Sequence, residues 1–198
     1  VKSTDGYNYL AQVFNYDWVV SGGGPILPTP TPTFTPTATF TPTPSGPQYV
    51  LISEVFYDTP GTDSDEEWIE LYNPTAASVD LSNYKLGDEE TAAGGEGMYR
   101  FPAGASIGAG QRITVALKAT GFFALYGFNP TYEVIDTDPS VPNMSVYSAW
   151  STGTISLANT GDEVLLLNGA DVAVDVVTYE AGIYSGVTAH PGVVTGHS

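Results

Sequence analysis

The segment Pro25–Pro47, PILPTPTPTFTPTATFTPTPSGP, sets the limits on what this chain can fold into. Proline has no backbone donor and a fixed φ, so the run predicts an extended polyproline II tether with a solvated backbone, outside any core. The 198 residues therefore divide into an upstream piece at 1–24, the linker at 25–47 and a downstream body at 48–198 of ordinary single-domain size. At about 3.1 Å per residue the linker spans roughly 60–70 Å when fully extended; the expectation is a disordered linker, either a spacer O-glycosylated on its threonines or plain disorder. This layout is expected of a modular, exported protein. A start without Met and an end reading HPGVVTGHS lead us to expect that the sequence continues at both ends.

There are no cysteines, which removes disulfides, thiolate–metal sites and thiol nucleophiles. The formal charge is −17, and only Asp5 and Asp17 precede the linker, so the acid is concentrated in the body. Lys2, Lys85, Arg100, Arg112 and Lys118 are scattered along the sequence. Nucleic-acid binders need clustered Lys and Arg to displace counterions, so direct nucleic-acid binding is not expected. The charge reads first as a solubility device. No apolar stretch approaches the ~20 residues that a membrane span requires.

Upstream of the linker, Leu10, Val13, Phe14 and Trp18 fall on one helical face, and Gly22–Gly24 stop the pattern. So short a helix is marginal alone and is expected to close a larger preceding domain. Past the linker the pattern changes to short runs rich in Val, Ile, Leu and Tyr, broken by Gly, Pro, Asn and Asp. Strands are predicted at Val50–Tyr57, Glu67–Tyr72, Tyr84–Gly87, Tyr99–Phe101, Arg112–Ala116, Thr154–Leu157, Glu163–Leu167 and Val172–Tyr179. Val172, Val174 and Val176 are assigned to one face of the last strand and Asp175 to the other. Asn168–Asp171 is a hairpin turn, and only Thr120–Tyr126 reads as helix. Many short strands with frequent turns predict an all-β antiparallel sandwich.

LISEVFYD (51–58), EEWIELYNPT (66–75), VDLSNYKLGD (79–88), YRFPAGASIGAGQRITVA (99–116) and LANTGDEVLLLNGADVAVDVVTY (157–179) follow in order. As a set they resemble the lamin tail domain, an immunoglobulin-like module also found in bacterial extracellular proteins. The resemblance covers most of 50–179 and implies an immunoglobulin-like β-sandwich without catalytic chemistry. The long connection at 122–151 resembles bacterial versions of the module. Upstream, the helix ending VFNYDW resembles the final helix of phospholipase D-like phosphodiesterases, which use paired His-x-Lys-(x)4-Asp motifs. Neither His190 nor His197 begins such a motif.

Nucleophilic catalysis needs a nucleophile, a base and a group that orients the base. Both histidines lie in a Gly-containing tail, so no catalytic residue and no organic cofactor are expected. One constellation suits a cation: Asp58, Asp63, Asp65 and Glu66, with Glu67 following, crowd the loop YDTPGTDSDEEW. Hard oxygen donors gathered on a loop fit Ca²⁺, and extracellular Ca²⁺ suffices for weak sites; the alternative is a solvated acidic loop that deters edge aggregation. Asp88, Glu89, Glu90 and Glu96, around Ala92–Gly95, read as a mobile loop. Tyr126, Phe128, Tyr132, Tyr147 and Trp150 either form a sugar- or protein-binding patch or pin the long connection to the sandwich. The expected function is a non-catalytic binding or tethering module of a secreted or cell-surface bacterial protein, with a protein or cell-surface component as partner. The alternatives are the accessory end of a secreted phospholipase D-like phosphodiesterase or nuclease, and a carbohydrate-binding sandwich.

Overall fold

The computed structural model describes residues 47–185. The upstream helix, the linker as far as Gly46, and the tail with both histidines lie outside the described residues. Within them the order is β1 (Leu51–Phe56), α1 (Asp63–Glu66), β2 (Trp68–Tyr72), β3 (Val79–Asp80), β4 (Lys85–Gly87), β5 (Met98–Arg100), β6 (Ser106–Ile107), β7 (Arg112–Lys118), α2 (Ala119–Tyr126), β8 (Tyr132–Ile135), β9 (Ser145–Val146), β10 (Gly161–Leu167) and β11 (Ala173–Glu180). One sheet runs β1-β2-β7-β8, a second runs β11-β10-β4-β5-β9, and β3 pairs with β6. The pairings are antiparallel apart from β7 with β8, which is parallel and connected through α2.

Period-two alternation explains how the two sheets meet. Ile69 and Leu71 of β2, with Ile113, Val115 and Leu117 of β7, face Leu86, Tyr99, Val164 and Leu166 of the other sheet in one buried cluster. Each such aliphatic side chain contributes about 1.5–3 kcal/mol when fully buried. The opposite face of β2 does different work. Trp68 packs on Phe56, Ala116 and Phe122, while Glu70 pairs with Arg112 at 3.1 Å and Tyr72 lies under its guanidinium at 4.4 Å. The body is thus an all-β, immunoglobulin-like sandwich.

Two sequence expectations need correction. Thr154–Leu157 is not a strand. Ile155 and Leu157 are buried in the core as alternation requires, but backbone donors of this segment go to carboxylates: Ser156 N–H donates to Asp88 Oδ2 at 2.7 Å and Leu157 N–H to Glu67 Oε2 at 3.4 Å. The single face assigned to Val172, Val174 and Val176 is broken by a register shift opposite Leu166 and Leu167. Val174 packs against the main core and Val176 on the outer cluster of Met98, Leu165 and Leu167, and Val172 is exposed. The turn at Asn168–Asp171 stands as expected, with Asn168 Oδ1 accepting from Ala170 N–H at 2.8 Å. Helix α2 begins one residue earlier than predicted and ends at Gly127, whose φ of 77° is the left-handed cap that glycine adopts freely.

Both lateral margins of the sandwich are tied. On one side the Asp175 carboxylate of β11 accepts Ile52 N–H of β1 at 2.8 Å. On the other, Glu133 N–H of β8 donates to Pro142 O at 3.1 Å and Met144 N–H to Glu133 O at 2.7 Å. The next two residues are β9, which pairs with β5 of the second sheet.

Candidate functional site

The loop nominated from sequence folds around α1 and distributes its carboxylates. Asp63 Oδ1 accepts Thr59 N–H at 3.0 Å and Thr59 Oγ1–H at 2.9 Å. Asn159 Nδ2 donates to Asp63 Oδ2 at 3.0 Å and to Asp58 Oδ1 at 3.3 Å. Glu66 Oε2 accepts Gly61 N–H at 2.9 Å, and Asp65 pairs with Lys118. The structure therefore brings Asp58 and Asp63 to one amide and turns Asp65 and Glu66 to separate partners. Desolvation pushes the Asp63 carboxyl up, but hydrogen bonds from Thr59 and Asn159 outweigh it and hold the group below the usual range.

The densest charge lies one layer further in. Glu67 just before β2, Asp88 just after β4 and Asp162 on β10 are all buried. Desolvation raises Glu67 from 4.5 to about 7, with Asp63, Asp88 and Asp162 adding repulsion. Asp88 rises to about 6, again mainly through burial, although it accepts from Ser156 and Gly97 N–H. Tyr179 faces the same group; its hydroxyl is buried without a hydrogen-bond partner among the described residues, and burial with the carboxylates of Asp162, Glu67 and Asp88 pushes it up. Glu133, also buried, makes the contrast: hydrogen bonds from Thr137, Asp138 and Ala119 outweigh its desolvation and hold it low.

The loop after β4 is firmly anchored. Glu89 accepts Thr91 N–H at 3.1 Å and Glu96 N–H at 2.9 Å, Gly97 N–H donates to Asp88 Oδ1 at 2.7 Å, and Trp150 Nε1–H donates to Glu89 O at 2.9 Å. These bonds set Glu90 and Glu96 beside Glu163, so that one carboxylate oxygen of each lies within 4.8 Å of the others. Glu163 shares the outer face of β10 with Leu165 and Leu167. Loss of water raises the Glu96 carboxyl to about 7, with Asp162 and Asp88 adding to it. Burial raises Glu163 too, helped by Asp162 and Glu90. Directly across from Glu163 stands Thr178, 2% exposed, its Oγ1 buried and without a hydrogen-bond partner among the described residues. Sequence reading found Glu90 and Glu96 as acids, but nothing in the spacing connected them to Glu163. Entry into β10 passes through Gly161 at φ 130°, where a Cβ would collide with the backbone nitrogen of Ala181.

The sequence profile of the Lamin Tail Domain matches residues 43–181, more than half of the chain. The chain belongs to the lamin tail domain family. Lamin tail domains are non-catalytic, immunoglobulin-like binding modules. A search of curated proteins finds no match. Among the described residues no helix is long and apolar enough to cross a membrane.

The aromatic residues singled out from sequence separate in this lamin tail domain. Tyr132 is buried edge-on against Phe101 at 5.4 Å. Tyr147 and Trp150 pack on the outer cluster of the second sheet. Tyr126 and Phe128 stay at the surface beside α2 and are joined there by Phe123, which sequence reading passed over. Trp68 holds this group from behind: its Nε1–H donates to Tyr126 Oη at 3.1 Å, and its ring meets Phe122 at 6.0 Å.

Proposed function

We propose that this lamin tail domain is a non-catalytic contact and tethering module of an exported, multidomain bacterial protein, and that its partner is a protein component of the cell surface. One observation carries the reading: Phe123, Tyr126 and Phe128 are 50%, 41% and 58% exposed on and just after α2. Phe123 and Tyr126 are three residues apart and share a helix side; Phe128 lies 6.2 Å from Tyr126, ring to ring. Large exposed apolar patches mark contact sites, and aromatics dominate the energetics of such contacts. A rigid support behind the patch suits recognition, because little side-chain freedom is lost on binding. The Pro/Thr segment supplies reach to the module and no specificity.

The test is capture of proteins from a bacterial cell-envelope extract on the immobilised 198-residue chain, compared with the double variant Phe123→Ser, Phe128→Ser. Loss of one or more specific captured proteins, with an unchanged circular dichroism spectrum, supports the patch. Equal capture by both chains overturns it. A glycan array probed with both chains tests carbohydrate binding; retention of a glycan through the patch would replace the protein partner with a sugar.

A further inference from the structure

We propose that Glu90, Glu96 and Glu163, together with the hydroxyl of Thr178, form a Ca²⁺ site on the outer face of the second sheet, separate from the loop at 58–66. The three carboxylates supply oxygens within 4.8 Å of one another. An ion about 2.4 Å from each ligand spans two oxygens up to about 4.8 Å apart and three equidistant ones up to about 4.2 Å apart, so a small inward turn of the two surface carboxylates brings all three into one coordination sphere.

The fourth donor is an independent observation. Thr178 pairs in register with Glu163, so the two side chains leave the same face of adjacent strands about 4.5–5.5 Å apart at Cβ. Val176, two residues before Thr178, and Leu165, two residues after Glu163, pair in the same way and lie in the outer cluster. Thr178 Oγ1 is buried on this face with no hydrogen-bond partner among the described residues, an arrangement that destabilises the fold unless a ligand compensates it. A cation held by Glu163 provides that compensation.

The surroundings favour a cation of this kind. The ion pairs among the described residues join Lys85 to Asp171, Arg112 to Glu70 and Lys118 to Asp65, all outside this cluster. Asp88 and Glu89 are already engaged by backbone N–H groups, so they frame the site rather than enter it. Glu90 and Glu96 are exposed, which leaves the outward side open for water. Ca²⁺ takes six to eight oxygens in adaptable geometry, whereas Mg²⁺ demands a near-ideal octahedron. One buried carboxylate, one hydroxyl and two surface carboxylates on a loop match the adaptable ion.

The experiment titrates the EDTA-stripped 198-residue chain with CaCl₂ by calorimetry and follows its thermal unfolding with and without Ca²⁺. The expected result is one bound ion per chain with a dissociation constant in the range of about 10⁻⁵–10⁻³ M, and a raised melting temperature. Glu163→Gln and Thr178→Val each weaken binding, the first at least tenfold, while Asp63→Asn and Asp65→Asn leave it unchanged. Glu90→Gln alters only a surface loop residue and repeats the loss in a chain whose fold is not at risk. Terbium supplies a spectroscopic readout: Trp150, bonded to the Glu89 carbonyl, sensitises its luminescence, and Glu90→Gln abolishes the signal. Absence of both heat and melting shift overturns the site. So does binding that survives Glu163→Gln and Glu90→Gln but is lost in Asp63→Asn, which assigns the ion to the 58–66 loop.

Discussion

Replacing Glu67 with Gln should stabilise the domain above neutral pH. Glu67 is 2% exposed. Its carboxylate accepts one long hydrogen bond, from Leu157 N–H at 3.4 Å, and faces Asp63 of α1, Asp88 beyond β4, Asp162 of β10 and the Tyr179 hydroxyl of β11. Burial first, and those carboxylates second, raise it from 4.5 to about 7. The folded value lies above the unfolded one, so the folded state holds the proton more tightly. The associated stability is complete below pH 4.5 and is lost as the pH rises through about 7. At about 1.4 kcal/mol for each tenfold change in proton affinity, the full rise corresponds to about 3 kcal/mol, an upper bound, and about 1–3 kcal/mol is expected. Gln is neutral throughout and keeps the shape; its amide also donates toward the neighbouring carboxylates. Urea unfolding in EDTA, read by tryptophan fluorescence at about pH 5 and pH 8, measures the difference between the two proteins. The variant should gain about 1–3 kcal/mol on wild type between the two conditions. Because Asp88, Asp162 and Glu96 titrate in both proteins, the difference reports Glu67 together with its repulsion toward Asp88 and Asp162. A variant less stable than wild type at pH 8, or one with the same pH slope, would refute the reasoning.

Asn73→Ala should cost about 2–4 kcal/mol in the same assay, because it leaves buried groups unpaired: Nδ2 donates to Ala77 O, Ile107 O and Gly108 O at 2.8, 3.0 and 3.1 Å. Lys85→Met removes an ammonium that bonds Asp171 at 2.5 Å and Asn168 O at 3.1 Å and lies 4.6 Å from the Tyr147 ring centre; a loss of about 2–4 kcal/mol is expected at pH 7. Lys85 holds the Asp171 carboxyl below 3.8, so part of that loss should disappear as the pH falls through the folded value, and an NMR titration should find Asp171 raised in the variant. Tyr179→Phe deletes a buried hydroxyl with no partner among the described residues. It should be neutral or stabilising by up to about 1 kcal/mol, whereas a clear loss of stability would reveal a hydrogen bond to bound water.

What the sequence made legible follows from how strongly each element imposes its period. EWIELYN alternates cleanly, and Ile69 and Leu71 point to the core with Trp68, Glu70 and Tyr72 behind them. β3, β6 and β9 are two residues each, too short to carry a period. β8 was hidden inside the long connection because YEVI has a carboxylate at its centre, and that carboxylate is buried in hydrogen bonds from Ala119, Thr137 and Asp138. Thr154–Leu157 had the pattern of a strand and lacked a partner, a distinction that side-chain alternation does not encode. Among candidate ligands, local crowding drew attention to Asp58, Asp63, Asp65 and Glu66. The grouping of Glu90 and Glu96 with Glu163 and Thr178 is a product of sheet pairing between distant segments, which no window along the chain displays.

The bond from Ile52 to Asp175 on one flank and the strip from Pro142 to Val146 on the other engage part of each rim of this sandwich. An uncapped outer strand is a template on which a second molecule can polymerise. Here several of the amide groups that could seed such growth are held by the molecule itself, which works against neighbouring copies zipping into fibres.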